Sequence, residues 1–316
     1  MSRRRAPSPA TGSILPPPTL LRPPRPPPPP AAPPRPRGAD VFVLLVRAEN
    51  LMRELSTIRT LLSQYPYITI HAEHAAGGDD SDDAAADGRV VLPPGVRLDD
   101  LAPAARYALA KIDVDAFPIL QLGITLCDAH GRLPSLPAPW GGGAAAESVW
   151  QVALFPGSSG AAAVAATPRA LAHALFATGV VSAETWGKVT WVAHGGLYHL
   201  GFLLKVLTGG APLPDTREEF AAAVRGYLGG KVFDVRYVAA RLPASVSLRG
   251  SLAYLAALLG APAAAAREPW QAGEKSLAAC QVFMRIKGLF FAWEGVDMHA
   301  GCIHGLHSPP PSMLSS

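Results

Sequence analysis

Residues 188–209 read KVTWVAHGGLYHLGFLLKVLTG. The run predicts a strand over Val189–Ala193 and, behind it, a helix over Tyr198–Leu207. The same alternation extends both ways. Upstream, Leu51, Leu55, Ile58, Leu61 and Leu62 recur at helical spacing within Glu49–Leu62, and Tyr67–Ile70 follows as a strand ending at His71-Ala72-Glu73. A helix over Asp99–Ile112, strands over Ile119–Leu126 and Val149–Phe155, and a helix over Thr167–Thr178 closed by Gly179 come next. Downstream lie an amphipathic helix at Arg217–Leu228, a short strand at Val232–Val235 and a helix at Ser251–Leu259. A long helix at Lys275–Phe290 offers Leu277, Cys280, Phe283, Met284 and Ile286 for burial. Strands interleaved with helices predict an α/β layered fold.

Composition divides the 316 residues into a tail and a body. Residues 1–38 hold 15 of the 33 prolines and 7 arginines but no acid, and Pro26–Pro30 is an unbroken proline run. Such a stretch favours extended polyproline II and cannot bury a core, so it is expected to be disordered. The body keeps 21 of the 28 basic and all 24 acidic residues, a net of −3. The basic character thus belongs to the tail, which argues against a broad nucleic-acid-binding face on the body. Gly77–Gly88, rich in Asp, reads as a solvated acidic loop, and Ser308–Ser316 as a disordered end. No segment meets the ~20-residue apolar requirement of a membrane helix. Cys127, Cys280 and Cys302 have neither metal-ligand spacing nor a disulfide framework, which fits a reducing compartment.

A family resemblance emerges from seven motifs in order. They are Ala48–Ala72 (AENLMRELSTIRTLLSQYPYITIHA), QLGIT at 121–125, VWQ at 149–151, the 188–209 stretch, PLPDT at 212–216, VFDVRY at 232–237 and QAGEKSLAAC at 271–280. Together they resemble the eukaryotic, plant-like deadenylase subunit of the CCR–NOT complex, a poly(A)-specific ribonuclease of the DEDD exonuclease type. The resemblance spans roughly residues 40–306. It implies a ribonuclease-H-like fold, a mixed twisted sheet flanked by helices, over 39–307. It also implies removal of adenosines from messenger RNA tails by 3′-to-5′ exonuclease chemistry, in cytoplasm and nucleus, docked on the CCR–NOT scaffold.

That chemistry uses two divalent ions, magnesium or manganese, about 4 Å apart and held by carboxylates. In the family an Asp-x-Glu pair, a second Asp after a Tyr, and a third Asp five residues beyond a general-base His supply the site. Carried over position by position, the pair falls on His71 and Glu73, the second Asp on His199, the third on Lys275 and the base on Trp270. Only Glu73 keeps its family identity. A cation at Lys275 opposes any metal by short-range Coulomb repulsion, and it can pair with Glu73 directly. The resemblance therefore implies a degenerate nuclease, with no metal or one weakly bound ion. The alternative is an active exoribonuclease whose metal is held by His71, Glu73 and His199, since imidazole suits zinc, iron, nickel or manganese. Glu274 is one residue from a family ligand position and is the candidate for a shifted one. Trp270 could stack a base, and Lys205 could meet a phosphate, if the protein still binds poly(A) RNA. Asp234 reads as structural, and His299, His304 and His307 as surface residues.

Overall fold

The computed structural model describes residues 41–307, except 75–95, 97, 138–144, 155–164, 243–245, 247, 249, 262–270 and 293–294. The tail, the acidic loop, the C-terminal end and Trp270 lie outside the described residues. The elements run β1 (Phe42–Val46), α1 (Leu51–Leu61), β2 (Tyr67–His74), α2 (Pro103–Ala116), β3 (Ile119–Cys127), β4 (Ser135–Pro137), β5 (Ala145–Ala153) and α3 (Pro168–Ala177). They continue with β6 (Thr190–Ala193), α4 (Gly196–Leu207), α5 (Arg217–Leu228), β7 (Val232–Asp234), α6 (Val235–Ala239), α7 (Leu252–Leu258) and α8 (Ala272–Phe290).

One mixed sheet in the order β1-β5-β3-β2-β6-β7 carries the fold, with β4 paired to β5. The pairs β1/β5, β2/β6 and β6/β7 are parallel, whereas β2/β3 and β3/β5 are antiparallel. Two large apolar clusters and a small third one around Cys127 and Cys280 flank it. One large cluster gathers Ile68, Ile70 and Ala72 with α1 to α5, and the other gathers Val192 and Phe233 with α6, α7 and α8. Strand β2 is buried along most of its length, as a central strand covered by helices must be.

Differences from the sequence reading have local causes. β2 runs four residues past Ile70, so His71 and Glu73 sit inside a paired strand. His71 is 7% exposed. Helix α8 starts at Ala272 rather than Lys275, because its first amides find side-chain acceptors. Strands β1 and β4 and the short helix α6 were not foreseen. Asp234 starts α6 by accepting the Arg236 N–H at 3.0 Å, a cap that ends β7 two residues after it begins.

Strand β3 and helix α8 run side by side at matched spacing. Gly123 meets the Ala272 carbonyl so closely that a Cβ at 123 would lie 1.8 Å from its oxygen. Thr125 and Ser276 hydroxyls are hydrogen-bonded at 2.8 Å, and Cys127 and Cys280 thiols stand 3.2 Å apart. Every second strand residue advances about 6.6 Å and every fourth helix residue about 6 Å, so the rungs keep step.

Candidate functional site

The site forms where β2 and β6 end and α4 and α8 begin. Alternation along β2 turns Tyr67 and Glu73 toward α8, where Lys287 donates to the Tyr67 hydroxyl and Lys275 reaches Glu73. The first turn of α8 is fixed by glutamines from two neighbouring strands. Gln121 Oε1 on β3 accepts the Ala272 N–H at 3.4 Å, and Gln151 Oε1 on β5 accepts the Gly273 N–H at 3.1 Å. Glu274 accepts the Gln271 N–H at 3.0 Å. These satisfy amides that a helix start leaves without intrahelical partners. They aim Lys275 into the site. Gln121 and Gln151 lay in the quoted motifs, but no sequence signal marked them as acceptors for α8.

Asp234 fixes the start of α4. Its carboxylate accepts the N–H groups of Gly195 (3.1 Å), Gly196 (2.9 Å), Arg236 (3.0 Å) and His304 (2.9 Å). Gly195 has φ 73°, the left-handed conformation that glycine adopts at no steric cost. The turn it makes brings His199 over β2. Strand β6 stops at Ala193, opposite Ile70. The Ala72 N–H, two residues beyond, donates to His199 Nδ1 at 3.1 Å. With Nδ1 accepting, the ring proton of neutral His199 belongs on Nε2.

The four positions carried over from the resemblance, His71, Glu73, His199 and Lys275, converge. Lys275 Nζ lies 2.9 Å and His71 Nε2 3.1 Å from the same Glu73 oxygen, Oε1. The His71 and His199 rings stand 4.1 Å apart, centre to centre. Burial raises the Glu73 pKa, but the hydrogen bonds and charges of His71 and Lys275 outweigh it and hold the carboxyl at about 2. Burial, with His71, His194, His74 and Lys275 nearby, pushes His199 well below the usual histidine range, so it is neutral. His74 and His194, which the sequence reading did not single out, are both buried beside this group, His74 stacked on Phe202 at 4.7 Å.

The donors present do not fit a pair of magnesium or manganese ions. One carboxylate stands where the chemistry calls for four, and an ammonium, which offers only hydrogens, holds its oxygen. Nor are His71, Glu73 and His199 arranged as a ligand set. Nε2 of His71 faces Glu73 and Nδ1 of His199 faces the backbone. Among the described residues no group of three or more His, Cys, Asp or Glu side chains could hold a metal ion. Glu274 is spent on the helix cap rather than offered as a shifted ligand. Lys205 is corrected too. Its ammonium donates to the carbonyls of Val114 (2.7 Å), Asp115 (2.9 Å) and Phe117 (3.3 Å), capping the end of α2 instead of facing a phosphate. His304 and His307 hold the C-terminal turn through Asp234 and Ile303.

No family model matches the chain. It is 27% identical over 209 residues to poly(A) ribonuclease pop2 of Schizosaccharomyces pombe, a match covering 61% of this chain and 55% of that protein's length. It is 25% identical over 279 residues to the probable CCR4-associated factor 1 homolog 7 of Arabidopsis thaliana, covering 82% of this chain and 90% of the relative. Its fold matches the structure of S. pombe Pop2p in a Mg2+- and Mn2+-bound form, with a TM-score of 0.63 at 23% identity, over 84% of this chain and 99% of that one. A second match is to the structure of the yeast NOT1 MIF4G domain co-crystallized with CAF1, at a TM-score of 0.58 and 22% identity, over 83% and 96% of the two chains. These likenesses place the mixed α/β architecture among Pop2 ribonuclease-H-like structures. In sequence the chain is similar, at 25–27% identity, to poly(A) ribonuclease pop2 and to the probable CCR4-associated factor 1 homolog 7.

Proposed function

We propose that this chain is a deadenylase-fold protein that has lost two-metal catalysis and acts as a non-catalytic interaction subunit, holding RNA weakly if at all. One observation carries the reading. The retained family carboxylate, Glu73, is paired with Lys275, a cation standing at a family ligand position. Bringing a divalent ion there would require breaking that pair and placing two or more positive charges beside the ammonium, in a site where charges interact several times more strongly than in water. The His71/Glu73/His199 alternative gains no support from the geometry, because His71 Nε2 and Glu73 Oε1 are engaged with each other, His199 Nδ1 accepts the Ala72 N–H, and the three are not arranged as a ligand set.

The reading carries with it a single domain over 39–307, residence in cytoplasm and nucleus, and docking on the CCR–NOT scaffold. Docking is supported by the fold likeness to a CAF1 chain co-crystallized with NOT1. It is also supported by an exposed aromatic cluster. Phe176 and Trp186 are more than 40% exposed, Phe176 packs on Tyr227 with ring centres 6.1 Å apart, and Trp186 donates to the Tyr227 carbonyl.

The test is the full-length protein with a 5′-labelled RNA bearing an adenosine tail, in magnesium, manganese and zinc in turn, beside Glu73→Gln. No shortening in any metal, from a protein that melts cooperatively, is expected. Shortening that Glu73→Gln abolishes would overturn the loss of catalysis. Co-purification with a NOT1 MIF4G domain, weakened by Trp186→Ala, is the separate test of docking.

A further inference from the structure

Cys127 and Cys280 are 153 residues apart in sequence and opposite each other in space, with their sulfurs 3.2 Å apart. Both are free thiols, 0% and 1% exposed, packed with Leu133, Val149 and Leu277. They form the third rung of the β3–α8 ladder, beyond Gly123/Ala272 and Thr125/Ser276. The two lower rungs hold strand and helix in register, so the sulfurs need close by only about 1.2 Å to reach a bonded S–S length of ~2.05 Å.

We propose that Cys127 and Cys280 are a modification site, a buried dithiol that a hydroperoxide oxidises to an intramolecular disulfide stapling α8 to β3. The inference goes beyond the proposed function and does not depend on it. One thiolate attacks a peroxide oxygen; the O–O bond breaks and hydroxide leaves, taking a proton to become water. The resulting sulfenic acid is attacked by the second thiol's sulfur, which forms the S–S bond and releases a second water. Two thiols lose two protons and two electrons, and the peroxide is reduced to two waters. Hydrogen peroxide is small enough to follow water into a transiently opened core, whereas a bulky disulfide reagent is not. Hydrogen bonding to Cys280 and burial push the Cys127 thiol far up, so little of it is thiolate in the closed core. The staple would fix the helix whose first turn presents Lys275 to Glu73, five residues from Cys280.

The experiment treats the full-length protein, with Cys302→Ser as background, with hydrogen peroxide under native conditions. Expected are a mass lower by about two units per chain, a cross-linked peptide pair joining Cys127 to Cys280, and loss of alkylation at both sites after denaturation. The thermal midpoint should rise by ~5–10 °C. Dithiothreitol should reverse all of these. Prolonged oxidation that leaves both thiols free to alkylate, or carries them to sulfinic acid without a cross-link, would overturn the proposal. Cys127→Ser serves as a second check. If it folds, its midpoint should not rise with peroxide, and if it does not fold, the mass and peptide readouts on the parent still decide.

Discussion

Lys275 and Glu73 form an internal ion pair of 2.9 Å, the lysine near the start of one helix and the glutamate near the end of the central strand. Both side chains are largely shielded, 10% and 25% exposed. Lys275→Met removes the cation and leaves Glu73 with His71 alone. The variant is expected to lose about 2 kcal/mol in urea unfolding, because a shielded charge stripped of its partner costs more than the pair contributes. The double variant Lys275→Met/Glu73→Gln should recover part of that loss. A single variant as stable as the parent would show that the pair carries no weight.

Restoring the carboxylates reverses the logic. A chain with His71→Asp, His199→Asp and Lys275→Asp gathers four acids with no counter-ion, and should melt lower than the parent without metal. Manganese should then raise its midpoint by several degrees and leave the parent unmoved, as ligand linkage requires. Manganese stabilisation of the parent that Glu73→Gln removes would count against a site closed to metal.

Acid should unfold the protein in two stages. Glu73, held at about 2 when folded against an ordinary 4.5, favours the folded state fully above pH 4.5. That contribution, on the order of 2–3 kcal/mol, is lost as pH falls from 4.5 toward 2. His199 acts earlier. It is kept neutral in the fold, while the unfolded chain binds a proton below pH 6.5, so stability begins to drop as pH falls through 6.5. His199→Asn, which can still accept the Ala72 N–H, should flatten the upper stage and spare the lower. Thermal midpoints at pH 7.5, 5.5 and 4 check this.

Asp234 and Lys205 belong to the scaffold. Asp234→Ala leaves four N–H groups without their acceptor and should cost about 3–5 kcal/mol. Lys205→Met should cost about 1–2 kcal/mol by uncapping α2. It should leave poly(A) affinity, read by fluorescence anisotropy, where the parent's lies. A selective fall in RNA affinity with unchanged stability would return Lys205 to the phosphate role.

Most of the elements were legible because the apolar period marks β2, α3, α4 and α5, and α3 and α5 also carry threonine caps. The Arg217–Leu228 helix is bounded as its Thr216 cap dictates. The convergence of His71, Glu73, His199 and Lys275 is what the family resemblance implied, and nothing in the spacing of these residues alone would have indicated it. What stayed hidden depended on the third dimension. Gln121 and Gln151 are ordinary strand glutamines until α8 starts beside them. Lys205 is an exposed-looking helix lysine until α2 ends beneath it. His71 lies inside a paired strand only because β2 continues to His74, past the Ile70 at which the apolar signal stops. Strand β1 was missed because it is short and adjoins the proline-rich tail.

The step-matched ladder between β3 and α8 bears on how this sequence can drift. Its first rung admits no side chain at Gly123, whereas the Thr125/Ser276 and Cys127/Cys280 rungs are made by side chains. The three rungs do not tolerate a change of length. One residue inserted between Gly123 and Cys127 would turn the following strand residues to the opposite face. One inserted between Ala272 and Cys280 would rotate the following helix positions by about 100°. Insertions and deletions are therefore expected outside these two short windows, and Gly123 is expected to resist substitution within them.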